Sequence, residues 1–257
     1  MTENGQNLGL AGQRGLSPLV DGLEGEKAPN REIDPILGQR LSALLFLASP
    51  ALPTGAFAWS NGLEALAAAK LVTNPRELTE SLEVNLAGGL ATFDLPLLRK
   101  AYAAAQREDE KELMAVNNWV LAGRETREFL LAERVMGRAV SRLIKSLGPP
   151  AFWGGGDLGY VAAYALLGTV INKNLEFNDL GRAYVYGFLE NQLAAATRVT
   201  LLGQTDSRKI ILALGPKVEA ALARAARLED GAIGSTLMGL AICGSNHETL
   251  ATRLFRS

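Results

Sequence analysis

Two prolines three residues apart, Pro50 and Pro53, constrain this chain more than any other local feature, because they interrupt the helix-forming run Ser49-Pro50-Ala51-Leu52-Pro53-Thr54-Gly55-Ala56-Phe57-Ala58-Trp59-Ser60-Asn61-Gly62-Leu63-Glu64. Proline lacks a backbone donor and disfavours the α conformation in the residue before it. Ser49 should therefore end a helix carrying Leu41, Leu44, Leu45, Phe46 and Leu47. Thr54 is free to cap a second helix that presents Phe57 and Trp59, then Leu63 and Leu66. Gly55 and Gly62 let another segment come close. The expectation is a stiff corner between two buried helices.

The rest of the chain agrees with a helical protein. Alanine and leucine dominate, and runs of β-branched residues are rare. The 257 residues can bury a sizeable core. This predicts an all-α fold, a single-domain bundle of roughly eight to ten helices. A formal net charge of -1 gives no sequence-wide reason to bind nucleic acid or an anionic membrane. Cys243 is the single cysteine, so no intrachain disulfide can form, which fits a reducing compartment. No basic segment leads into an apolar one at the start. The most apolar run, 161–171, is shorter than the about 20 residues that span a bilayer. The expectation is a soluble, cytoplasmic protein.

Residues 1–33, rich in Gly, Asn, Gln and Pro, read as a mobile tail, and residues 34–257 as one helical domain. Asp34 and Pro35 start the first helix, and a second runs from about Phe57 to Leu71. Asn74, Pro75 and Glu77 form a helix-start signal, followed by Leu78, Leu82, Leu86 and Leu90 on one ridge. Phe93-Asp94-Leu95-Pro96 predicts a break. Farther on, Phe129, Met136, Val140, Ile144 and Leu147 share a face, while Arg127, Arg134, Arg138, Arg142 and Lys145 make a basic row. That row is a partner or anion contact, or a solvated face neutralised by Glu125, Glu128 and Glu133. Gly154-Gly155-Gly156 follows no strand and precedes no Gly-Lys-Ser, which argues against a phosphate loop. Asp157 can cap a nearly all-apolar helix through Ile171, and further helices cover about 178–202 and 207–227.

Little in the sequence suggests chemistry of its own. His247 is the only histidine, which removes catalytic sets that need a second one. Cys243 and His247, four apart, have metal-ligand spacing but would be only two ligands, a weak site. No paired carboxylates or dinucleotide fingerprint stand out, so neither an enzyme active site nor a cofactor is expected.

Several stretches in order carry a resemblance. The corner, read as S-P-A-L-P-x-G-A-F-x-x-S-x-G-L-E, is similar to the N-terminal signature of the UreF urease accessory protein family, except that Trp59 stands where tyrosine is common. Asn118, Leu121, Arg124, Glu125, Thr126, Arg127, Glu128, Met136 and Gly137 resemble a second stretch of that family. Asn191, Ala195 and Arg198, leading to Leu202-Gly203-Gln204, resemble a third. The terminal H-E-x-x-x-x-R-L-F-R-S from His247 is the most specific. The resemblance implies an all-α homodimer that assembles with UreD (also called UreH) and UreG to deliver nickel to apo-urease. GTP hydrolysis would belong to UreG, with modulation by this chain. It further implies that His247, Glu248, Arg253, Leu254, Phe255 and Arg256 form a docking element for UreD, with Phe57, Ser60 and Glu64 on the partner-facing side. The alternative is a helical enzyme or small-molecule binding protein with a pocket between helices.

Overall fold

The computed structural model describes residues 35–199, 201–234 and 237–256, and no strand occurs among them. The expected N-terminal tail and the Asp34 cap lie outside the described residues. Helix α1 (Pro35–Ala48) begins on its proline and ends before Ser49, as the proline rule requires. Its burial is narrower than expected. Ala43 and Leu47 are buried, whereas Leu41, Leu45 and Phe46 are exposed, because only one stripe of α1 is turned inward.

The corner departs further from the sequence reading. Instead of one helix from Phe57 to Leu71 it holds a 3-10 turn, Ala56–Ala58, and a six-residue helix α2 (Leu63–Ala68). Three left-handed residues explain the interruption: Gly55 at φ 72°, Asn61 at φ 50° and Gly62 at φ 85°. At Gly62 a Cβ would also stand 2.6 Å from Leu240 Cδ1. The turn directs Trp59 into the core and leaves Phe57 outside.

Helix α3 (Pro75–Val84) has the expected cap: Asn74 Oδ1 accepts from the Glu77 N–H at 3.0 Å, and Glu77 accepts from the Thr73 N–H at 2.8 Å. Leu78, Leu82, Leu86 and Leu90 are all buried, each contributing about 1.5–3 kcal/mol by transfer from water. The break expected at Phe93–Pro96 is absent. A π-helical segment, Asn85–Asp94, joins α3 to α4 (Leu95–Gln106) without interruption. The wider turn lets Leu95 N–H reach Leu90 O. The Thr92 carbonyl, which Pro96 cannot serve, accepts instead from Gly234 N–H at 3.1 Å.

Helices α5 (Glu110–Ala122) and α6 (Arg127–Leu147) follow, α6 capped by Thr126, whose Oγ1 accepts from Phe129 N–H. Helix α7 (Tyr160–Ile171) is buried from Val161 to Thr169 and packs against α4 and α6, the central position its apolar sequence predicts. Its cap is Gly159 rather than Asp157, because Asn117 Oδ1 and Glu133 Oε1 already hold the N–H groups of Gly159 and Val161. Helix α8 (Phe177–Arg198) packs along α1. The expected helix 207–227 is two, α9 (Gln204–Ala213) and α10 (Gly215–Arg227), divided where Pro216 removes a donor. Helix α11 (Met238–His247) leads to the C-terminal segment.

Candidate functional site

The corner and the C-terminal segment, far apart in sequence, are bound to each other. Arg256 N–H donates to Ala58 O at 2.9 Å. Three groups from α8 fix the other side of the corner: Asn191 donates to Trp59 O, Gln192 to Ser60 O and Arg198 to Phe57 O. These side chains satisfy carbonyls that an irregular segment leaves without helical partners. The Arg198 guanidinium also lies 4.5 Å from the Phe255 ring centroid, so one cation holds both segments.

Glu64, in the first turn of α2, is the centre of the junction. Ser60 Oγ accepts its backbone N–H, and its carboxylate accepts from Leu254 N–H at 2.7 Å and Phe255 N–H at 3.0 Å. His247 is 0% exposed, with Nε2 2.9 Å from Glu64 and Nδ1 2.8 Å from Glu128. The ring thus bridges the two carboxylates, and Arg253 also donates to Glu128 at 3.1 Å. Glu128 was not among the expected site residues, although it lies in the matched run Arg124–Glu128. Its role depends on a contact 119 residues away, which spacing alone does not reveal.

The expected docking residues therefore divide into two groups. Ser60, Glu64, His247 and Phe255 are buried and bonded within the chain. Phe57 is 73% exposed and Leu254 57%, and Arg256 and Arg253 are also exposed. Glu248 is half-buried at the end of α11. Cys243 is buried, and burial raises its thiol pKa. No group of three or more His, Cys, Asp or Glu able to hold a metal occurs among the described residues.

A cleft of about 150 Å³ adjoins the corner, lined there by Ala56, Asn61 and Asn191, and opens between the π segment, α6, α7, α8 and α11, with apolar walls that include Phe93, Phe129, Met136 and Leu240. Its ionisable groups converge, which the sequence reading did not anticipate. Arg124 bonds Asp94 at 2.6 Å and Glu133 at 2.7 Å, and Tyr184 donates to Asp94 at 3.1 Å. Burial opposes the Arg124 charge, but the two carboxylates outweigh it and hold its pKa above the usual value. Burial raises Glu125 at the rim, and it raises Tyr160 and Tyr184 within. Arg124 pairs both carboxylates, and Glu133 additionally anchors the start of α7.

Comparison with known proteins decides the lineage. The UreF family model matches residues 72–215, more than half of the chain. The chain belongs to the UreF family. A urease accessory protein UreF from Chromohalobacter salexigens is 38% identical over 233 residues, covering 89% of this chain and 98% of the relative. Those from Pseudoalteromonas translucida and Teredinibacter turnerae are 39% and 35% identical, over 84% and 86% of this chain. These UreF relatives are named as accessory proteins rather than catalysts. No helix among the described residues is long and apolar enough to cross a membrane.

Proposed function

We propose that this chain is a non-catalytic docking subunit of urease maturation, which joins UreD (UreH) and UreG so that nickel can be inserted into apo-urease in the cytoplasm. The observation that carries this reading is the bonded junction of corner and tail. It spends buried charge on holding a chain end in one conformation and leaves Phe57, Leu254 and Arg256 outside on rigid supports. Preorganised apolar anchors beside an arginine are what a protein interface uses for its energetic centre. UreD is the partner assigned to this surface. The outward face of α1, with Ile36, Leu37, Leu41 and Leu45 exposed, is the surface assigned to the homodimer.

The cleft favours a second reading, a small-molecule site between helices. Against it, the carboxylates are already paired by Arg124, a bonding pattern that serves packing as well as chemistry. Co-purification separates the two. The full chain should retain UreD, and a chain lacking residues 253–257 should lose it. Undiminished UreD binding by the shortened chain would overturn the tail assignment, and substrate turnover by the isolated chain would favour the cleft.

A further inference from the structure

The basic row of α6 is a second surface, distinct from the corner and tail. Arg127, Arg134, Arg138, Arg142 and Lys145 are all exposed, on a row about 27 Å long at 1.5 Å per residue. Of the three glutamates that could neutralise it, exposed Glu125 makes no ion pair with any of these cations, and the other two are committed elsewhere. Glu128 and Glu133 are buried, committed to His247 with Arg253 and to Arg124 respectively. Among the described residues, no carboxylate lies within ion-pair distance of Arg127, Arg134, Arg138 or Arg142. Exposed Arg76 and Arg208 have carboxylate partners, whereas Arg107, Arg227 and Arg256 have none but stand singly, so what sets the α6 row apart is four such arginines on one helix face. Like charges four residues apart on a helix repel, so an unpaired row costs stability and needs another reason to persist.

We propose that this row docks an acidic face of a protein partner within the urease-maturation assembly, with carboxylates spaced about one helical turn apart. The proposal rests on the function proposed above and adds a contact surface to it. Guanidinium forks pair bidentately with carboxylates at this spacing, and the charge complementarity names the occupant. Leu131, exposed in the middle of the row, and Leu147 at its end supply apolar contact of the kind found inside protein interfaces. A nucleic acid fits less well, since no aromatic side chain interrupts the row for base stacking and the whole chain carries a net charge of -1.

The test uses the full chain, purified UreD, UreG and apo-urease, a single-stranded RNA, and the variant R134Q/R138Q/R142Q. The wild type should associate with one of these proteins in a salt-sensitive way, and the variant should associate roughly tenfold more slowly with a flatter salt dependence. R134K/R138K/R142K should keep most of the rate, and the Tm of the glutamine variant should be unchanged or higher. Equal association and equal salt dependence for wild type and glutamine variant would overturn the row while leaving the proposed function standing. Failure of the wild type to bind any of the three would overturn both. A loss confined to single-stranded RNA, with protein association intact, would overturn the choice of a protein partner.

Discussion

At the scale of single residues, His247 carries the most. It bridges two buried carboxylates, Glu64 and Glu128, whose other partners are the Leu254 and Phe255 N–H groups and Arg253 respectively. His247→Ala opens a cavity and removes one hydrogen-bond partner from each carboxylate, and the expected loss is about 2–4 kcal/mol. Urea unfolding measures it, and a loss below about 1 kcal/mol, the level of a surface pair, would show that the junction is not held this way. A second expectation concerns alkaline pH. Burial raises Tyr102 to about 12 and raises Tyr164 and Tyr184 further, and it raises the Cys243 thiol. Each group is neutral in the fold and ionises more readily once unfolded. Their contribution is therefore complete below the unfolded values of 9.0 for cysteine and 10.0 for tyrosine, and it is lost as pH rises through and above them. Spectroscopic titration of tyrosinate should show these phenols ionising only as the helical signal collapses. Ionisation at ordinary pH with the helices intact would contradict their burial.

At the scale of elements, α6 comes tightly against the backbone that leads into α7. A Cβ on Gly137 would lie 2.1 Å from the Leu158 carbonyl oxygen and 2.5 Å from the Gly159 carbonyl carbon. Because backbone cannot swing aside as a side chain can, Gly137→Ala should cost about 1–3 kcal/mol and lower the Tm by several degrees. Thermal melts check it, and an unchanged Tm would mean that α6 does not touch the Leu158–Gly159 backbone there. The need for glycine was visible in the sequence only as part of a family-like Met136-Gly137 pair, without its cause. Helix starts marked by local chemistry were legible, as at Asn74 and Glu77, because cap and donor lie three residues apart. The interruption at Asn61 and Gly62 and the continuity through Pro96 were not. The first depends on Leu240 filling the space beside Gly62, and the second on Gly234 serving the Thr92 carbonyl. Both partners are remote in sequence. The same holds for the candidate site: the C-terminal motif marked its residues, but which of them support the surface and which form it followed only from the pairing of Glu64 with Leu254 and Phe255.

At the scale of the whole molecule, a helical core around α7 supports a rigid exterior on which separate surfaces sit: the corner with the tail, the outward side of α1, and the arginine row of α6. The central claim is that the first of these receives UreD through exposed side chains held by buried ones. Deleting the tail also removes partners of Glu64, so substitution of the exposed side chains alone is the cleaner probe. The deciding measurement is co-purification of UreD with the full-length chain carrying Phe57→Asp and Leu254→Asp, whose Tm is compared in parallel. The account predicts an unchanged Tm and loss of UreD. A variant that folds as the wild type does and retains UreD undiminished would contradict it.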